Sequence, residues 1–119
     1  MVQLNYGDTL RFTCGFSHIG DAWDGGKLHA AIGNQETTFD EVLNAEVSIG
    51  AIPVDDTWTS YQSTVDITIT TALAAGTYEA YVKLMSIPGG DIFWEGPNDD
   101  ISIIGEADFQ DLTVTYAKV

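Results

Sequence analysis

Carboxylates gather in two short stretches of the sequence, each next to residues that break strands. "GDAWDGG" contains Asp21 and Asp24 before a glycine pair, and "EGPNDD" ends on Asp99 and Asp100. Hard cations take several oxygen ligands from carboxylates and carbonyls, and glycine lets the backbone fold around them. Both stretches are therefore candidate calcium loops, although neither carries a full EF-hand pattern. The alternative is a turn that repulsion between like charges keeps open.

Aromatic side chains near turns form the second group of candidate binding residues: Trp23, Trp58, Phe93 and Trp94. An exposed indole can stack on the apolar face of a sugar or anchor a protein interface. At least one of the three indoles is expected to be structural, since all-β cores also use tryptophan. In "DIFWEGPNDD", Phe93 and Trp94 point to opposite faces, so one of them should face solvent or a partner.

The same stretch is expected to end a strand. Gly96 and Pro97 predict a break before "DISII", which would leave an acidic tip beside an apolar platform. An aromatic anchor with a charged rim is typical of a binding edge. The alternative is that the domain's own loops cover both rings.

Catalytic groups form no recognisable constellation in the sequence. Neither His18 nor His29 lies in a nucleophile–base motif. His29 alternates away from Leu28 and Ala30, which predicts a solvent-facing strand residue. "IPGGD" lacks the Gly-Lys-Ser or Gly-Lys-Thr ending of a phosphate-binding loop. We expect a non-enzymatic protein with no cofactor other than the candidate calcium ions.

The cysteine content excludes two further kinds of structural feature. Cys14 is the only cysteine, so the chain can form neither an intrachain disulfide nor a cysteine-based zinc site. Alternation places Cys14 on the inward face of "TLRFTCGF", where we expect a buried and inert thiol.

The charge balance excludes two classes of partner. Eighteen acidic residues oppose four basic ones, which gives a net charge of −14. Such a surface repels phosphate backbones, and no basic stripe exists to bind them, so nucleic acid is excluded as a partner. Anionic membrane surfaces are disfavoured for the same reason. No apolar run of about 18 residues exists that could insert into a membrane.

The length of 119 residues predicts one domain over residues 1–119, with an ordinary apolar fraction of 45%. The start, "MVQLNYGDTL", has neither the basic region nor the apolar block of a signal peptide. Either the chain is made and kept in the cytosol, or Met1 starts a mature segment, and both alternatives stay open.

A period of two in hydrophobicity runs through most of the sequence and predicts strands with one buried and one wet face. The clearest segments are "TLRFTCGF", "NAEVSIGAI", "YQSTVDITIT", "TYEAYVKLM" and "DLTVTYAKV". In the last of them, Leu112, Val114 and Tyr116 share one face. The only helix candidate, "TTFDEVLNAEV", is too rich in β-branched residues for more than one turn. About seven to nine strands separated by turn clusters predict an all-β, two-sheet antiparallel sandwich.

At "LAAGTYEAYVKL" the sequence resembles a known family. Leu73, Gly76 and Tyr78 have the Leu-x-x-Gly-x-Tyr spacing of the tyrosine corner in immunoglobulin-like and fibronectin-type sandwiches. The resemblance implies that Tyr78 is buried and that its hydroxyl binds backbone within residues 73–75.

The same resemblance places Cys14 on strand B and puts Ala80 at the usual strand-F position of its disulfide partner. The disulfide between the sheets is therefore absent. "GDTLRFTCGF" together with "AAGTYEAYVKL" also resembles immunoglobulin-like modules of bacterial surface and phage-tail proteins, over roughly residues 7–104.

A second resemblance implies a different topology. "DDTWTSYQSTVDITI" and "ADFQDLTVTYAKV" are similar to jelly-roll carbohydrate-binding modules, which pair a W-x-x-Y strand with a terminal DD-V-x-V strand. Here, Asp108 and Asp111 are separated by Phe109 and Gln110. Immunoglobulin-like and jelly-roll topologies both stay open within the all-β sandwich class.

These patterns lead to two expected functions. The first is a structural or adhesion module of a surface, filament or virion assembly, located on an extracellular surface or in a virion. Its partners would be other proteins or further copies of itself. The alternative is a carbohydrate-binding module that binds glycans through exposed tryptophans and carries a structural calcium ion.

Overall fold

The computed structural model describes residues 2–35, 39–86, 91–105 and 113–118, and describes residues 35, 39, 40 and 91–100 by their backbone alone. Within this part of the chain there are seven strands and no helix. The strands are β1 (Val2–Asn5), β2 (Thr9–Gly20), β3 (Gly26–Gln35), β4 (Phe39–Ile49), β5 (Asp55–Thr68), β6 (Gly76–Ser86) and β7 (Asp91–Ile104). The all-β prediction is confirmed.

The seven described strands form two sheets. The larger has the order β1-β7-β6-β3-β4, and the smaller consists of β2 and β5. Every pairing is antiparallel except that of β1 with β7, which is parallel and joins Val2 to Ile101 and Asn5 to Ile104. No helix in the described residues is long and apolar enough to cross a membrane.

The inner faces of the two sheets pack on each other and form one core. Alternation explains the pattern, since a strand places every second side chain on the same face. The buried core contains Leu4, Leu28, Ala30, Ile32, Val65, Ile67, Ile69, Leu73, Ala80, Ile101 and Ile103. The chain is therefore a two-sheet β-sandwich.

The expected break at Gly96 and Pro97 is wrong, because β7 runs without interruption from Asp91 to Ile104. The pairing of β7 with β6 absorbs these residues through shifts in register. Between Ala80 and Val82, an advance of two residues on β6 matches three on β7. Such β-bulges are places where a strand tolerates proline, so this stretch is not a free acidic tip.

Two other segments differ from the sequence prediction. Phe39–Ile49 forms strand β4, so even the single helical turn allowed in "TTFDEVLNAEV" is absent from it. The predicted last strand is also wrong for its described part, because residues 113–118 form no strand and are exposed. Strand propensity without a paired edge does not make a strand, since the backbone hydrogen bonds need a partner.

The glycine pair before β3 has a packing role. Gly25 has a φ of +99°, and a Cβ there would lie 2.7 Å from the carbonyl oxygen of Ile49. A Cβ on Gly26 would overlap the carbonyl of Met85 and also touch the ring of Trp23. Both glycines are buried. They let β3 enter the sheet between its two neighbours.

Candidate functional site

The inner face of β2 is incompletely covered. Leu10, Phe12, Cys14 and Phe16 point inward at every second position, yet all four are only half-buried. The inner face of β2 is thus an incompletely covered part of the described core, and the inner row of β4 is half-buried in the same way.

Two of the residues paired with β2 across the smaller sheet are much less exposed than their partners on β2 itself. Leu10 pairs with Ile67 and Phe12 pairs with Val65, but Ile67 is only 3% exposed and Val65 only 2%. Paired residues on one face of a sheet are direct neighbours, but β5 also lies close to β3 and β4. Among the described residues, β2 and β5 pair only with each other, so each has one edge with no hydrogen-bonded strand beside it. On β2 this unpaired edge runs beside the half-buried inner row.

Two clefts lie along the inner face of β2. The first, of about 270 Å³, is lined by Leu10–Cys14 of β2, by Ala80–Val82 of β6, and by Val2 and Ile101. The second, of about 250 Å³, is lined by Phe16–His18 of β2, by Asp21–Trp23 and Ile52, and by Leu84 of β6. Because both lie between the inner face of β2 and β6, we treat them as one surface, termed the β2 groove. The residues that line the β2 groove are mostly apolar. A row of apolar side chains would therefore fit it better than a charged ligand would.

The thiol of Cys14 lines the β2 groove. Burial raises the pKa of this thiol, which keeps it protonated at neutral pH. A protonated thiol is a poor nucleophile, in line with the expected inertness. The expected full burial is wrong, because the open edge leaves Cys14 half-buried.

A hydrogen-bonded cluster lies at the far end of the groove. Nδ1 of His18 is 2.8 Å from Oδ2 of Asp55, and the hydroxyl of Tyr61 donates to the same oxygen at 2.8 Å. Tyr61 also stacks on Phe16, with ring centres 5.7 Å apart. Hydrogen bonds from His18 and Tyr61 lower the pKa of Asp55, and the carboxylate raises the pKa of Tyr61. Asp55 thus joins His18 to Tyr61, and these two hydrogen bonds hold the three side chains in place at this end of the β2 groove.

A second polar cluster covers the outer face of the larger sheet. His29 places Nε2 2.7 Å from Glu41 and Nδ1 2.8 Å from Glu46. Lys27 adds an ion pair to Glu46 at 2.9 Å, and the hydroxyl of Tyr81 donates to Glu41. His29 lies on the outer face of the sheet, as alternation predicts, but these carboxylates cover its side chain and leave only 15% of it exposed.

The carboxylates of this cluster titrate below their usual range. Partial burial acts to raise the pKa of Glu41, but hydrogen bonds from Tyr81 and His29 outweigh it and lower the pKa. Hydrogen bonds from Lys27 and His29 lower the pKa of Glu46. Both shifts mean that the folded state favours the charged carboxylates.

Two tyrosines hold the turn between β5 and β6. The hydroxyl of Tyr78 donates to the carbonyl of Ala74 at 2.7 Å, as the tyrosine-corner spacing predicts. The hydroxyl of Tyr6 donates to the carbonyl of Leu73, also at 2.7 Å. Leu73 itself is fully buried, whereas Tyr78 is half-buried and not buried as expected. The role of Tyr6 was missed, since nothing in the local sequence links it to a turn 67 residues away.

The structure separates the two tryptophans whose side chains it describes. Trp23 is half-buried, exchanges two backbone hydrogen bonds of 2.8 Å with Ile52 and lines the second cleft. Trp58 lies on the outer face of β5 and is 71% exposed. The expectation that at least one indole is structural therefore fits Trp23. The side chains of Phe93 and Trp94 lie outside the described residues.

The predicted calcium ligands are not brought together in the described part. Asp21 and Asp24 are both exposed and flank Trp23 on the loop after β2. The described residues contain no group of three or more His, Cys, Asp and Glu side chains that could hold a metal ion. The side chains of Asp99 and Asp100 lie outside the described residues, although their backbone belongs to β7.

One sequence signal could have indicated the polar end of the groove. The inward row of "TLRFTCGFSHIG" runs from Leu10 to Phe16 and then continues to His18. A polar residue that continues an apolar row must be bonded or close to solvent, and His18 is both. The open edge of β2 leaves no such signal, because alternation does not tell how many strands a sheet contains.

Comparisons with known proteins add no family to this geometry. No family model matches the chain, and no curated protein matches it either.

Proposed function

We propose that this protein is a non-enzymatic structural module of the immunoglobulin-like class, which acts in a surface, filament or virion assembly through protein contacts. The observation that carries the proposal is the β2 groove, where half-buried apolar residues face an open sheet edge. An exposed edge beside an unfilled apolar row favours pairing with another chain.

The strand order supports the immunoglobulin-like class. In that class, strands C, F and G form one sheet, and an extra strand C′ joins C in variable-type domains. The order β7-β6-β3-β4 matches G-F-C-C′, and the pair of β2 with β5 matches B with E. Cys14 and Ala80, the positions of the absent disulfide, line the same cleft. The bond from Tyr78 to Ala74 has the form of the tyrosine corner.

The same comparison indicates an edge to which a strand could be added. The second sheet of the class has four strands in the order A-B-E-D, whereas the described residues place only the equivalents of B and E in it. β1, which precedes β2 in the chain, pairs with β7 instead and leaves one edge of β2 without a described neighbour. A structural role follows if another chain adds a strand there.

The proposal is tested by sedimentation velocity of the intact chain over a series of concentrations, beside a glycan array. We expect association that grows with concentration and no retained glycan. A chain that stays monomeric throughout and binds a glycan would contradict the proposal.

Glycan binding is the second candidate function, because Trp58 is 71% exposed on the outer face of the smaller sheet. Ile19, 43% exposed on the same face, extends this apolar surface. An indole there can stack on a sugar ring. Titration with array-positive glycans should quench tryptophan fluorescence in the parent and in Trp23→Phe, but not in Trp58→Ala. Equal quenching in all three would rule out this site.

A further inference from the structure

A segment late in the sequence is exposed and forms no strand. All six of residues 113–118 are exposed, with Val114 at 69% and Tyr116 at 90%.

This segment has the sequence of a strand. "TVTYAK" consists mainly of threonine, valine and tyrosine, which are enriched in strands. Val114 and Tyr116 occupy one face, and Thr113 and Thr115 occupy the other. No described residue pairs with it. Its apolar row is thus available to a sheet edge elsewhere.

The β2 groove has the matching form. Its inward side chains Leu10, Phe12 and Cys14 repeat at every second residue and are half-buried. A strand added to the free edge of β2 would place its own inward residues beside this row and over β6. Val114 and Tyr116 have the spacing and the apolar character to fill it.

Charge favours the same contact. Two molecules of charge −14 repel each other, so they can associate only where few carboxylates meet. Strand β2 contains no Asp or Glu, and residues 113–119 contain none either. Of the other edge strands, β4 and β5 carry carboxylates, whereas β1 carries none but has only four residues.

We propose that residues 113–118 of one copy add as a strand to the free edge of β2 in a second copy of the chain. This proposal rests on the proposed structural function and names its partner. The contact joins two different surfaces, so each copy that accepts a strand still has its own to donate. Such head-to-tail contacts build filaments, or rings if the rotation closes.

The cysteine already in the groove provides the test. Val114→Cys and Tyr116→Cys, made separately, place a second thiol on the inward face of the donated segment. Under mild oxidation, we expect at least one of them to form covalent dimers and longer oligomers on a non-reducing gel. Thr115→Cys, on the opposite face, is the matched control and should give several-fold less. Adding Cys14→Ser should abolish the product.

Two gel results would overturn the inference. One is oligomer formation that is equal in the Thr115→Cys control. The other is a disulfide within a single chain, which would mean that the segment folds back onto its own β2.

Removal of residues 113–119 separates this inference from the proposed function. We expect the intact chain to associate in sedimentation velocity and the shortened chain to be monomeric. Association that survives the deletion would overturn strand donation while the structural function stands. An intact chain that is monomeric at every concentration would overturn both.

Discussion

At the scale of single residues, the turn between β5 and β6 depends on two hydroxyl groups that reach it from different directions. Tyr6 comes from the connection after β1, and Tyr78 comes from the start of β6. Their acceptors are neighbouring carbonyls, those of Leu73 and Ala74. The hydroxyls thus tie three parts of the chain together around a fully buried leucine.

The two hydrogen bonds should contribute differently to the free energy of unfolding. Tyr6→Phe leaves the half-buried carbonyl of Leu73 without its partner, so we expect a loss of about 1 to 1.5 kcal/mol in the free energy of unfolding. The bond of Tyr78 is exposed, and water can replace it, so Tyr78→Phe should cost about 0.5 to 1 kcal/mol. Urea titration measures both. A Tyr6→Phe variant as stable as the parent would show that this bond adds nothing.

The cluster around His29 makes a prediction about pH. The folded state holds the pKa of Glu41 below its usual value, so the stabilisation is complete above the unfolded pKa and disappears as the pH falls through the folded one. We expect Glu41→Gln to lose less stability than the parent between about pH 5 and pH 3. Thermal melts across this range measure it.

Asp24→Asn is the control for this prediction, because Asp24 is an exposed carboxylate outside the cluster. Its melting temperature should follow the parent's pH dependence. Parallel curves for the parent and Glu41→Gln would contradict a stabilising role of the Glu41 carboxylate.

At the scale of strands, the entry of β3 into the larger sheet depends on the absence of a side chain. Gly26→Ala would drive a methyl group into the carbonyl of Met85, so β3 and β6 must move apart. We expect a loss of about 2 to 4 kcal/mol in the free energy of unfolding. Denaturant titration provides the measurement.

Gly15→Ala is the matched control on β2. A Cβ there would meet only the carbonyl oxygen of Tyr61, at 3.8 Å. We expect no loss, or a small gain from reduced freedom of the unfolded chain. Equal destabilisation by the two substitutions would mean that glycine in any strand, and not close packing at Gly26, sets the cost.

Most strands could be predicted from the period of two, because half-buried strands place apolar residues alternately. The predictions that are wrong concern segments whose structure depends on pairing with another strand. "EGPNDD" carries turn residues, yet β6 holds it in β7 through bulges. Residues 113–118 have strand residues, yet no described edge pairs with them. In both cases the partner strand, which the local sequence does not encode, determines the result.

The same reason limits prediction of the candidate site. The sequence places Leu10, Phe12 and Cys14 correctly on an inner face, but their exposure depends on how many strands flank β2. Likewise, alternation puts His29 on the outer face, while its cover comes from Glu41 and Glu46 on another strand.

At the scale of the whole molecule, the net charge of −14 governs the response to ions. Added salt screens the repulsion between the carboxylates of such a surface. We expect calcium and magnesium at equal millimolar concentration to raise the melting temperature equally. A clearly larger rise with calcium would instead indicate a specific site, since only binding to the native state adds such stability.

The parallel pairing of β1 with β7 has a mechanical consequence. The chain enters the sandwich at Val2, beside Ile101, and leaves β7 at Ile104, beside Asn5. A pulling force on the two ends therefore acts along these strands in opposite directions and loads their hydrogen bonds together, in shear. Antiparallel terminal strands pulled from one end would instead open one bond at a time. A copy of the chain that is joined to neighbours near both ends would therefore carry the pulling force across the hydrogen bonds between β1 and β7.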